Sequence, residues 1–142
     1  MDTRLLKESL KIIAENDFAV STFDENSRIV RSTFKGRVKL DLAYEHMDEL
    51  GEFYLNNKIN GSIVNISKVY GSYAKILEYL KVNFLPKTKT SGIKRKAYVV
   101  SDDIIVAHLS AKLVNGDEYN HIKSKVFFYL KEAEEWVNET DL

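Results

Sequence analysis

Three times between Gly36 and Tyr129 the apolar pattern switches from the period of a helix to the short continuous run of a buried strand, and this alternation restricts the fold more than any other feature of the chain. Ala43, Met47, Leu50 and Tyr54 recur at helical spacing after Asp41, a candidate N-cap, and Ser62 to Ile66 follows as strand. Tyr73, Ile76, Leu77 and Leu80 form the next helical face, Pro86 closes that region, and Ala97-Tyr98-Val99-Val100 is the next strand. Ser101-Asp102-Asp103 supplies cap chemistry for a helix carrying Ile105, Leu109 and Leu113 that stops at Asn115-Gly116. Lys125 to Tyr129 is the last strand, and Glu132 to Asn138 the last helix. Upstream, Phe18 to Phe23 and Ile29 to Phe34 flank the polar cluster Asp24-Glu25-Asn26-Ser27 and predict an antiparallel hairpin.

A hairpin followed by helix–strand alternation predicts an α/β fold: one small, open, mixed sheet of about five strands, its later strands parallel, with helices packed on it. Leu6, Leu10 and Ile13 share a helical face, so residues 1–16 are expected to form an amphipathic N-terminal helix ahead of a single domain spanning 17–142. Such a helix could cover a sheet face or mediate a homodimer.

With 142 residues the chain can bury roughly two-thirds of its unfolded surface in one core. Its 21 basic and 21 acidic residues cancel, so no global field attracts nucleic acid. Zero cysteines exclude disulfides, thiolate metal sites and cysteine nucleophiles. The first eleven residues lack an unbroken apolar core, which predicts neither a signal peptide nor a membrane span, and the expected location is cytoplasmic.

Ile63-Val64-Asn65-Ile66-Ser67 followed by Lys68-Val69-Tyr70-Gly71-Ser72 is a strand running into a polar turn and a helix, the junction where open α/β sheets keep their sites. Together with Phe34-Lys35-Gly36 ahead of a helix, and Val126-Phe127-Phe128 ahead of Glu132-Ala133-Glu134-Glu135-Trp136-Val137, it resembles the SpoIIAA-like branch of the STAS superfamily over Phe18 to Val137. That resemblance implies a small sheet-and-helix fold related to CRAL-TRIO lipid-binding lobes. In the superfamily's anti-sigma-factor antagonists a serine at the start of the helix after the central strand is phosphorylated; Ser72 is the nearest match. Asn65 stands where Asp is usual and the Asp-Ser-Ser-Gly signature is absent, which weighs against classical partner switching.

The candidate switch or ligand loop is therefore Asn65, Ser67, Tyr70, Gly71 and Ser72, although a serine there serves equally as a plain N-cap. Tyr70, Tyr73, Phe84 and Tyr98 could line an apolar pocket or simply pack the core. Lys94, Arg95 and Lys96, with Lys87 and Lys89, are the only local basic concentration and a weak candidate for an anionic group; a solvated strand edge explains them as well. His46, His108 and His121 fall on separate elements without metal-ligand spacing, so no metal and no cofactor is expected. Adjacent Asp102-Asp103 are capping residues rather than paired catalytic carboxylates. Trp136 is expected to dock the last helix, at a cost of about 3 to 5 kcal/mol if truncated to Ala. No catalytic constellation is visible. The chain reads as a non-enzymatic STAS-like module that acts by contacting another protein through the strand-end loop, or alternatively as a binding domain for a small apolar or phosphorylated ligand.

Overall fold

The computed structural model describes residues 9–72, 74–101 and 122–139. Six strands form one sheet in sequence order: β1 (Leu10–Glu15), β2 (Ala19–Asp24), β3 (Ile29–Arg37), β4 (Gly61–Tyr70), β5 (Arg95–Val99) and β6 (Lys123–Phe127). The first three strands pair antiparallel and β3 to β6 pair parallel. Between β3 and β4 runs α1 (Leu40–Asn56). Between β4 and β5 run α2 (Ala74–Tyr79), a π-helical turn (Leu80–Phe84) and a 3-10 segment (Leu85–Ser91). The last helix, α3 (Leu130–Asn138), follows β6.

Strand order dictates where the helices go. Right-handed crossovers from β3 to β4 and from β4 to β5, between parallel strands laid down in sequence order, put their helices on the same face. Accordingly Ala43, Met47, Leu50 and Tyr54 of α1, with Leu80 and Phe84 of the π turn, join Phe18, Val30 and Tyr98 in the larger core. The opposite face is left to α3, whose Ala133 and Val137 pack on Ile29, Ile63, Ala97 and Val99. Helices on both faces bury every residue of β5, which is why it reads as strand without alternation. Gly61 makes room for α3: a Cβ there would stand 2.5 Å from Val137 Cγ1. Arg31 secures the same helix through two hydrogen bonds to Glu134, at 2.7 and 2.8 Å. Trp136 packs against this core at 5.7 Å from the Phe127 ring, as expected, but is only half-buried.

The expected N-terminal helix over 1–16 is not observed across its second half: Leu10–Glu15 is an edge strand, the sixth of the sheet. Its β-branched Ile12-Ile13 pair is a weak helix former. Pairing with β2 supplies backbone partners instead, with a bulge between Ile12 and Ala14. Asn16 fixes the following turn, accepting from the Phe18 and Ala19 N–H groups and donating to the Leu42 carbonyl. Asp41 sits in the first turn of α1 rather than at its cap, which Lys39 occupies without a side-chain bond. The helix expected over Ser101 to Gly116, with His108 and the Asp102-Asp103 pair, lies outside the described residues, as do His121 and Tyr73.

Candidate functional site: a cavity under the helical layer

Strand β4 does not stop at Ile66. Asn65 pairs with Thr33 and Lys68 with Lys35, so Ile66 and Ser67 together oppose Phe34 in a bulge. The Asn65 side-chain oxygen accepts from both the Ser67 N–H (3.1 Å) and its hydroxyl (2.7 Å). Turn chemistry is thus spent inside the strand, which continues to Tyr70 and reverses at Gly71, whose φ of 102° favours glycine. Ile66 and Val69 are thereby turned toward the helical layer, whereas Tyr70, 60% exposed, and Ser72 face outward.

Beneath that layer lies a cavity of about 80 Å³. Its floor is the sheet, with Ser32 and Phe34 from β3, Ser62, Val64 and Ile66 from β4, and Lys96 and Tyr98 from β5. Met47, Leu50 and Tyr54 of α1, Ile76 and Leu77 of α2, and Leu80 and Phe84 of the π turn cover it. The Leu85 N–H reaches back five residues to the Leu80 carbonyl, which closes the π turn, and Pro86, lacking an N–H, ends the ladder directly after it. Both ends of that wide turn, Leu80 and Phe84, are consequently buried at the cavity.

Polar groups in this wall are few and specific. The Tyr54 hydroxyl, fully buried, shares a hydrogen bond with the Ser62 side chain; burial pushes its pKa up to about 12, against the opposing pull of Ser62, so it stays protonated. Ser62 sits in register beside Lys96. Lys96 is only 3% exposed, with Nζ 5.0 Å from the Phe84 ring centre and 5.3 Å from that of Tyr98. Ser32 belongs to a chain that runs away from the cavity: its Oγ lies 2.6 Å from Ser21 Oγ, which lies 2.7 Å from His46 Nε2. Burial lowers the His46 pKa to about 4, so the imidazole is neutral at pH 7. Its Nδ1 has no hydrogen-bond partner among the described residues.

The basic run disperses because consecutive strand residues face opposite ways. Lys94 is exposed, while Arg95 points to the second face, where Nη1 donates to the Trp136 carbonyl (2.6 Å) and to Glu139 (3.0 Å). Only Lys96 reaches the cavity. Of the aromatic candidates Phe84 and Tyr98 line it, whereas Tyr70 does not. Sequence reasoning missed Ser21, Ser32, Tyr54 and Ser62; the buried-strand runs held the signal, since a serine inside such a run must find a partner. Among the described residues no three His, Cys, Asp or Glu side chains group as a metal site would require.

The combination of a three-stranded antiparallel entry, parallel strands laid down in order and helices on both faces has a solved counterpart. An uncharacterised protein of the DUF3478 family from Shewanella loihica PV-4, with a SpoIIAA-like fold, superposes over 90% of this chain and 91% of its own, with a TM-score of 0.57 at 15% sequence identity. The fold is SpoIIAA-like. That likeness bears on the scaffold alone. No family model and no curated protein sequence matches the chain. On this SpoIIAA-like scaffold no helix among the described residues is long and apolar enough to cross a membrane.

Proposed function

We propose that this chain is a non-enzymatic, STAS-like binding module that holds a small apolar molecule between its sheet and its helical layer. The observation that carries this reading is the cavity itself, since packed protein interiors rarely leave voids larger than a water molecule. Size sets the class of occupant. At about 80 Å³ the space is near half that of the apolar cavity of about 150 Å³ that takes up benzene, and far below the 300 Å³ or more of a drug-sized site. A body of about three to five carbons fits this volume, and a long lipid chain does not.

The test is pentan-1-ol. In the full chain it should raise the melting temperature saturably, because a ligand that binds only the folded state stabilises it by mass action. Leu77→Phe, which fills the cavity from the helical side, should abolish that rise without lowering the variant's own melting temperature. A wild-type melt indifferent to pentan-1-ol would overturn the proposal.

A second reading, regulation through protein contact at the strand-end loop, is supported by the outward position of Tyr70 and Ser72 beside the Gly71 turn. Tyr70→Ala would then abolish capture of a specific partner while leaving pentan-1-ol binding intact.

A further inference from the structure

The Ser32–Ser21–His46 chain, which begins at the cavity wall, carries one proton more than its hydrogen bonds use. A neutral imidazole and two hydroxyls bring three protons, and the two contacts, Ser32 Oγ to Ser21 Oγ at 2.6 Å and Ser21 Oγ to His46 Nε2 at 2.7 Å, take two of them. The third proton has three possible places. If Ser32 donates to Ser21 and Ser21 to His46, it is left on Nδ1, which has no hydrogen-bond partner among the described residues and belongs to a side chain 1% exposed. If Ser32 and His46 both donate to Ser21, it is left on the Ser21 hydroxyl, which is fully buried. Neither Ser21 nor His46 lines the cavity, so each of these arrangements strands a donor in the packed interior. In the remaining one, His46 Nε2–H donates to Ser21 and Ser21 donates to Ser32. The Nδ1 lone pair is then an unmet acceptor, rarer faults being orphaned N–H groups, and the spare proton sits on Ser32, which does line the cavity.

Building on the ligand-binding reading above, we propose that the occupant is a short-chain neutral carbonyl compound, its oxygen accepting from the Ser32 hydroxyl and its alkyl body lying over Val64, the register neighbour of Ser32 on β4. A carbonyl oxygen accepts and does not donate, which matches a wall group with a proton to give. An alcohol brings an O–H of its own, which the apolar side chains of Val64, Ile66 and Leu77 leave unmet.

Two measurements on the full chain at pH 7 test this. Ring-nitrogen NMR of isotope-labelled protein should find the His46 proton on Nε2; a proton on Nδ1 overturns the assignment, because Ser32 must then donate to Ser21. Pentan-2-one and pentane, titrated with methyl NMR shifts as the readout, share a hydrocarbon body and differ in the acceptor. Ser32→Ala should weaken pentan-2-one at least about fivefold, the size of one neutral hydrogen bond, and leave pentane within about threefold of wild type. Pentane bound without pentan-2-one, equal losses for the two, or no loss for either overturns the carbonyl assignment and leaves the cavity reading standing. Failure of wild type to bind both probes removes both readings. Should Ser32→Ala not fold, wild type decides: pentan-2-one, accepting from Ser32, should move the His46 Nε2 resonance through the hydroxyl chain while pentane does not, and identical responses to the two probes overturn the proposal.

Discussion

Acidification from pH 7 to pH 4 is expected to destabilise the protein through one identifiable group. His46 is 1% exposed, bonded through Nε2 to Ser21 and stacked edge-on against Phe34 at 5.4 Å, and no acidic side chain is among these neighbours. Its pKa is about 4 when folded and near 6.5 when unfolded. Above pH 6.5 both states are neutral and the group has no pH effect. Below it the unfolded chain takes up the proton first, so stability falls with falling pH until the folded pKa is passed near 4. Each tenfold step in proton affinity is about 1.4 kcal/mol, giving a loss of up to about 3 kcal/mol across that window. The assay is urea unfolding at half-unit intervals from pH 8 to pH 4, for wild type and for His46→Gln. Glutamine keeps a group able to bond Ser21 and does not titrate, so the difference between the two stability curves should be flat above pH 6.5 and shrink steadily below it. Superimposable slopes between pH 6.5 and 4 would refute the assignment of a buried, neutral imidazole.

Three further outcomes test the packing. Gly61→Ala should cost about 1 to 3 kcal/mol and shift Trp136 fluorescence as α3 is pushed off the sheet; because the clash is with Val137, adding Val137→Ala should restore part of the loss, measured by a double-mutant cycle in urea. Trp136→Ala should cost about 2 kcal/mol in the same assay, below the value for a fully buried tryptophan, because the ring is half-buried. The Arg31–Glu134 pair is partly exposed, so Glu134→Gln should cost no more than about 1 kcal/mol, with the difference fading in 1 M salt.

The alternation of periods was enough to find α1 with its start two residues late, to find β2 through β6 as strands and to orient the later ones parallel. Edge strand β1 was hidden because Leu6, Leu10 and Ile13 fit a helical face equally well, and short apolar runs do not separate the two periods. Asn65-Ile66-Ser67 carries the residues of a turn, which predicts a strand end; it is a bulge, a distinction that depends on the register against β3. The consequence is functional, since the bulge is what turns Ile66 and Val69 to the cavity while Tyr70 faces solvent. Lys96 was visible only as part of a basic run. Its burial follows from strand alternation on a sheet covered on both faces, and from the π turn that brings Phe84 over it. The Ser32–Ser21–His46 chain joins three elements across 25 positions or fewer, and no local spacing announces it.

The account rests on a cavity that takes up a small molecule, and the most direct measurement is a set of intermolecular NOEs between pentan-1-ol and the isoleucine, leucine and valine methyls of the full chain. Cross-peaks from the pentyl group to Val64, Ile66, Ile76, Leu77 and Leu80, with none to Ile63 or Val137 on the opposite face, are the predicted result. Cross-peaks confined to the α3 face, or none at ligand concentrations that saturate the thermal shift, would contradict it.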